Sequence, residues 1–336
     1  MKKVKFLYKN SFKDYGQSWL RMLPNNINQL NDCEFIFDAD EVNYDWLIVY
    51  NNLPDDKKIL ISCPKENTLF ITSEPSSISY YGKKFINQFG YVLTAQEEYA
   101  LSHNNKIYQQ PALRWFYEAD LSEPTNLEQL KNNIPLRKNN LISTICSDKT
   151  SNFTLHKKRL RFLEYTKKQI PELIHYGRGF NQIIDKSEGL KSFKYHIVIE
   201  NHVADHWWTE KLSDAFLGCT LPFYYGAPNI NQYFPDKAII KIDINEPKTA
   251  IQIIKSAIKN NEYEKRLNFI LKARKKLIDE YSIFSVLSKH INSCENKIYK
   301  KDQSYLYSRT ELRKKPSVAL ENLSKKIKLK YINFIK

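Results

Sequence analysis

Residues 194–235, KYHIVIENHVADHWWTEKLSDAFLGCTLPFYYGAPNINQYFP, restrict the fold more than any other stretch of the chain. Tyr195, Ile197, Val198 and Ile199 form the β-branched apolar run of a strand covered on both faces, and the chain turns polar at Glu200, Asn201 and His202. Thr209 then offers a hydroxyl N-cap, and Leu212, Ala215, Phe216 and Leu217 recur at helical spacing up to Gly218, a C-cap residue. Leu221 to Tyr225 read as a second buried strand, stopped by Gly226, Ala227 and Pro228. Strand, helix and strand in so short a span make a crossover unit of an α/β sheet. Such a sheet gathers its polar residues at the carboxyl edge, so Glu200, Asn201, Thr209, Glu210 and Lys211 should converge on one crevice.

The chemistry of that cluster suits a sugar nucleotide. Free N–H groups at a helix N-terminus favour a diphosphate, Lys211 in the first turn adds a full charge, and anionic Glu210 is better matched to sugar hydroxyls. The order E-N, eight residues, E-K, an apolar helix and P-F-Y-Y-G-A-P resembles the donor-binding signature of family 10 glycosyltransferases, the α1,3/1,4-fucosyltransferases. There the pattern is close to F-E-N-S, a short loop, T-E-K, a helix and P-x-x-x-G. Glu200-Asn201 and Thr209-Glu210-Lys211 fit it without a gap, whereas His202 replaces the usual Ser and His206-Trp207-Trp208 stand where Tyr and Val are preferred.

The resemblance implies the GT-B architecture, two Rossmann-like domains facing each other across a cleft, and an inverting transfer from GDP-fucose without a metal or other cofactor. It assigns the donor pocket to Glu200, Asn201, Trp207, Thr209, Glu210 and Lys211. A basic residue at the start of the helix expected over Asn152–Tyr165 would contact the pyrophosphate; the usual Arg falls at His156, so Arg159, or Lys158, would take its place. His175-Tyr176-Gly177-Arg178-Gly179 resembles the family's Y-G-R-G segment and adds Arg178. In the loop Ser73-Glu74-Pro75-Ser76-Ser77, after an apolar strand at Leu69–Thr72, Glu74 matches the family's general base.

At 336 residues the chain is long enough for two domains. A polar, Pro-containing stretch near 120–140 reads as a linker, which divides the chain into an acceptor-binding domain at 1–130, a nucleotide-sugar-binding domain at 140–299 and a tail at 300–336. The five Cys form no CxxC pair, which suits a reducing compartment, and no metal site reads from them. The start MKKVKFLYKNSF has no apolar signal core, so a cytoplasmic location is expected.

Of the net charge of +15, more than half lies in the tail, which has eleven Lys or Arg against three Asp or Glu. Its Leu320, Leu323, Ile327, Tyr331 and Phe334 recur every three or four residues. Such a helix either lies on the anionic cytosolic face of a membrane or packs back on the first domain. No nucleic-acid reader motif accompanies the charge, so nucleic acid is not an expected partner. The expected partners are a nucleotide-sugar donor and a glycan acceptor. Asp38-Ala39-Asp40 after an apolar strand leaves one rival, a metal-dependent transferase using another nucleotide sugar; the plainer reading is a solvated turn.

Overall fold

The computed structural model describes residues 1–55, 57–149, 155–294 and 304–335, with side chains up to 332. The chain forms two compact units, Met1–Ala112 with Ile283–Lys336, and Leu113–Ser282.

In the first unit the strands are β1 (Lys2–Tyr8), β2 (Gln29–Leu30), β3 (Cys33–Ile36), β4 (Trp46–Tyr50), β5 (Lys58–Ile61), β6 (Thr68–Ile71), β7 (Tyr91–Thr94) and β8 (Lys106–Tyr108). Short helical turns α1 (Ser11–Asp14), α2 (Gln17–Leu20) and α3 (Lys83–Ile86) lie between them. Among the described residues the main sheet has the order β2-β3-β1-β4-β6-β7-β8, parallel except at β2. The apolar runs WLIVY and TLFI are buried almost throughout because a parallel sheet is covered on both faces.

The second unit holds α4 (Leu127–Asn132), β9 (Asn140–Ile145), α5 (His156–Gln169), β10 (Ile174–Tyr176), β11 (Phe193–Ile199), α6 (Glu210–Leu217), β12 (Leu221–Tyr225), β13 (Ile240–Lys241), α7 (Pro247–Lys259) and α8 (Glu262–Glu280). Its parallel sheet has the order β10-β9-β11-β12-β13 among the described residues. The expected strand at Ile239–Ile244 shrinks to two paired residues, although Ile242 and Ile244 still enter the core. The α/β class and the two Rossmann-like units are as expected, and the helix expected from Asn152 begins at His156 among the described residues, since 152–154 lie outside them.

The boundaries are not those expected from composition. Residues 120–140 are no linker: Asn126 and Gln129 form a capping box on α4, Leu127 and Leu130 are buried, and Arg274 donates to Leu130 O and, at 3.2 Å, to Asn133 O. Asp185 clamps the same segment, accepting from Glu118 N and Asp120 N at 3.0 Å each. The helix expected over Tyr263–His290 breaks at Tyr281-Ser282, and its second half, α9 (Ile283–Ser293), belongs to the first unit. There Phe284 meets Phe35 at 4.6 Å, Phe6 at 5.6 Å and Phe37 at 5.8 Å between ring centroids, a cluster of large rings that holds α9 on the β1–β3 face.

The expected tail is likewise part of the first unit. Among its described residues β14 (Ser304–Tyr307) pairs antiparallel with β5, and α10 (Arg309–Leu312) and α11 (Pro316–Ile335) follow. Val318 and Leu329 of α11 are buried, while the predicted stripe Leu320, Leu323, Ile327 and Tyr331 is 56–67% exposed. The Phe334 side chain lies outside the described residues.

Candidate functional site

At the carboxyl edge of β11 and β12 the second unit buries an acid whose surroundings are fully specified. Glu200 follows directly on β11, is 0% exposed, and accepts from Thr209 N at 2.8 Å and Thr209 Oγ1 at 2.7 Å. Thr209 is thereby oriented as the N-cap of α6, with its Oγ1 3.4 Å from the Lys211 amide. The glycine of the P-x-x-x-G pattern has a steric cause: a Cβ on Gly226 would lie 2.3 Å from the Tyr224 hydroxyl and 2.6 Å from Glu200 Cγ.

The Lys211 ammonium sits inside this arrangement, 3.0 Å from Glu210 Oε1, 3.2 Å from Thr209 Oγ1 and 3.7 Å from Glu200 Oε2. Burial pushes the Glu200 carboxyl above its ordinary range despite Lys211. Burial pushes on Glu210 in the same direction, yet Lys211 and Lys186 outweigh it and hold Glu210 at about 2, so that it is anionic. Lys186 also pairs with Asp214 Oδ2 at 3.0 Å, and Asp214 Oδ1 accepts from Phe116 N and Tyr117 N at 2.9 and 3.0 Å.

A cavity of about 30 Å³ opens on these groups, lined among others by Arg159, Lys186, Lys211, His196 and Asp214. Arg159 is 6% exposed; one Nη reaches Ile199 O at 3.5 Å, and its Nε, a buried donor, has no hydrogen-bond partner among the described residues. A buried guanidinium donor left unpaired is costly, which marks the place where an anionic acceptor would be stabilised. The helix that carries it begins with His156, Lys157 and Lys158 and has no acid in its first turn and, among the described residues, no side-chain cap, so its N-terminal N–H groups and positive dipole end are not neutralised by an acidic neighbour on the helix. Burial and the charges of Arg159, Lys211 and Lys149 lower the His156 imidazole to about 4, and it is neutral at pH 7.

The structure therefore brings Glu200, Thr209, Glu210, Lys211, Arg159 and His156 together, whereas Lys158 and Arg178 are exposed. Helical phase turns Lys158 to solvent. Arg178 is exposed on a loop and its Nε lies 3.6 Å from Asp148 Oδ1; the loop's Gly177 has φ 126° and passes so close to Cys146 O that a Cβ would lie 2.6 Å from it. Trp207 is buried and donates from Nε1 to Asn201 Oδ1 at 3.2 Å, so it orients Asn201. Trp208 packs on Tyr233, Phe234 and Tyr281 with centroids 5.0–5.6 Å apart, which explains the departure from the family pattern as core filling. Lys186, Asp214 and His196 were not found by motif, because they reach the cavity from a loop, from one turn further along α6 and from inside β11.

Glu74 lies in the first unit, half-buried in the loop after β6. The Tyr81 hydroxyl donates to Asn51 Oδ1 at 2.8 Å and accepts from Ser73 N at 3.1 Å and Glu74 N at 3.2 Å, and Gln96 Nε2 donates to Glu74 O at 2.9 Å. Burial pushes the Tyr81 phenol up to about 12, so it is a lasting donor and the Glu74 backbone is clamped from both sides. Asp38 and Asp40 form an Asx turn, Asp38 Oδ1 accepting from Asp40 N at 2.9 Å; the Lys5 ammonium fills the loop beside them, 2.6 Å from Ala39 O and 2.7 Å from Glu41 O.

Residues 137–310, just over half of the chain, match the family "Glycosyltransferase family 10 (fucosyltransferase) C-term". Among curated proteins, "GDP-fucose protein O-fucosyltransferase 3" of Danio rerio is 40% identical over 83 residues, 24% of this chain and 18% of its own length. "Alpha-(1,3)-fucosyltransferase FucT" of Helicobacter pylori is 32% identical over 78 residues, 23% of this chain and 16% of its own. The matches thus span less than a fifth of either relative. Among solved structures, "Crystal Structure of alpha1,3-Fucosyltransferase with GDP-fucose" aligns with a TM-score of 0.48 and 18% identity, covering 90% of this chain and 93% of the other. The match over residues 137–310 takes in every residue of the Glu200–Lys211 cluster, and the chain belongs to glycosyltransferase family 10, the fucosyltransferase family.

Proposed function

We propose that the chain is an inverting α1,3-fucosyltransferase that moves fucose from GDP-fucose to a hydroxyl of a surface glycan such as lipopolysaccharide O-antigen. The observation that carries the donor assignment is Arg159: a buried guanidinium whose Nε has no hydrogen-bond partner among the described residues, beside Lys211 and Lys186 and one turn from a helix N-terminus without a side-chain cap among those residues, fits a diphosphate. The Danio rerio relative, named for GDP-fucose, supports the sugar nucleotide. In the reaction the acceptor oxygen attacks the anomeric carbon while Glu74 takes its proton. The bond from that carbon to the β-phosphate oxygen breaks, and GDP leaves with the electron pair. Arg159, Lys186 and Lys211 meet the charge that develops there, in the role a metal plays in other transferases. Glu210, kept anionic, accepts from donor hydroxyls. The metal-dependent rival through Asp38 and Asp40 has less support, since Lys5 already occupies their loop.

The same reading locates the enzyme on the cytosolic face of a membrane. The exposed stripe Leu320, Leu323, Ile327 and Tyr331 lies among Lys325 and Lys328, the pattern of a helix resting on anionic lipid, each Lys contributing about 1 kcal/mol. No described helix is long and apolar enough to cross a membrane.

Two neighbouring cations of α5, Arg159 and Lys158, separate the donor reading from a general basic face. Arg159→Ala should weaken GDP binding about thirtyfold, the equivalent of about 2 kcal/mol for a charge-assisted bond, whereas Lys158→Ala should leave it unchanged. Calorimetric titration of both variants with GDP measures this. Equal affinities for Arg159→Ala and wild type would end the proposal.

A further inference from the structure

The first unit holds cations that donor binding does not use. A pocket of about 70 Å³ lies between the Glu74 loop and the helices α10 and α11, lined among others by Ser79, Tyr80, Tyr81, Arg309, Arg313 and Lys326. Three of its lining side chains are cationic and none is an acid. Arg309 forms its fixed wall: the guanidinium lies 4.9 Å from the Tyr81 ring centroid, donates to Asn52 Oδ1, and reaches Ser79 Oγ at 3.4 Å. Arg313 is anchored by Nε, 3.0 Å from Arg309 O. The Lys326 ammonium loses protons more readily than a free lysine, first through desolvation and then through Arg313, Arg309 and Lys330. Asp55 lines a neighbouring pocket with Arg309 and Arg313, and Glu321 acts on Tyr80, but among the described residues lining this pocket no carboxylate answers its three cations, a conflict that a bound anion removes.

The position of the pocket bears on its ligand. Tyr81 lines it with one side of the ring while its hydroxyl holds the Ser73 and Glu74 amides, so a group bound against Arg309 and Arg313 is one side chain away from the Glu74 backbone clamp. We propose that this pocket takes an oxyanion group, a sulfate, phosphate or carboxylate, carried by the glycan acceptor, so that the preferred acceptors are acidic. The inference rests on the reading of Glu74 as the base that meets the acceptor.

The test uses the full chain saturated with GDP, so that the donor cavity is filled, and the double variant Arg313→Gln with Lys326→Gln, which leaves Arg309 and its Tyr81 contact in place. Inorganic sulfate, a neutral disaccharide and its monosulfated form are titrated into each, and both proteins are sedimented with phosphatidylglycerol vesicles. Wild type should bind sulfate saturably and the sulfated sugar at least about tenfold more tightly than the neutral one, and the double variant should lose that preference with its GDP affinity intact. No saturable sulfate binding, or a preference that survives in the variant, overturns the proposal. Loss of vesicle binding with no preference between the sugars assigns the pocket to lipid headgroups and overturns it as well. An acidic preference that persists while Glu74→Gln transfers sugar at the wild-type rate would remove the base and keep the pocket.

Discussion

Lys211→Ala should lower kcat for fucosyl transfer by about 10² to 10³, the range expected when one fixed charge is removed from a developing anion in a site shielded from water. Two effects act in the same direction. The ammonium proposed to meet the β-phosphate is lost, and Glu200 and Glu210, now 3.7 and 3.0 Å from it, lose their shared counter-charge. Glu200 is already raised by burial, so without Lys211 it takes up a proton more readily still, or, if ionised, repels the diphosphate. Lys211→Met, close in shape, separates charge from packing: it should match Lys211→Ala in kcat and stay nearer the wild type in melting temperature. Steady-state rates at saturating GDP-fucose measure the effect. Transfer at the wild-type rate in both variants would mean that Lys211 only holds the fold.

Glu74→Gln should reduce transfer by about 10² to 10⁴, the worth of a general base, while slow hydrolysis of GDP-fucose without acceptor changes by no more than about twofold. The amide keeps the length and the hydrogen-bonding backbone of the loop but cannot take a proton. The clamp supplies an internal control. Tyr81→Phe removes the hydroxyl that receives both the Ser73 and Glu74 amides, so it should lower kcat less than Glu74→Gln and leave donor hydrolysis alone. A Glu74→Gln enzyme that loses hydrolysis and transfer together would show that Glu74 supports the fold or the donor and not proton removal.

The crossover unit was legible because its signals are local. Leu221 to Tyr225 and the Thr209 cap of α6 stand where the apolar runs and the hydroxyl placed them. Lys158 and Arg159 were separable too: Arg159, Leu160 and Leu163 share the buried side of α5, and that phase turns Lys158 outward. Other parts depend on partners far along the chain. Lys186 and Asp214 meet across 28 residues, and β14 pairs with β5 across more than two hundred, distances over which periodicity carries no information. Polar composition hid the packed segment around α4, although its Asn126-x-x-Gln129 capping box was a readable helix start. At Tyr281-Ser282 no Gly or Pro marks the end of α8; the break follows from Tyr281 entering the Trp208 cluster.

The proposed GDP-fucose enzyme meets its transition state with side-chain cations. Its most direct test is the rate of GDP release from GDP-fucose, GDP-mannose and UDP-GlcNAc by the full chain, each with and without EDTA. Turnover of GDP-fucose should exceed that of the others and should not change on adding EDTA. Selective turnover of a UDP-sugar that EDTA abolishes would contradict it and return attention to Asp38 and Asp40.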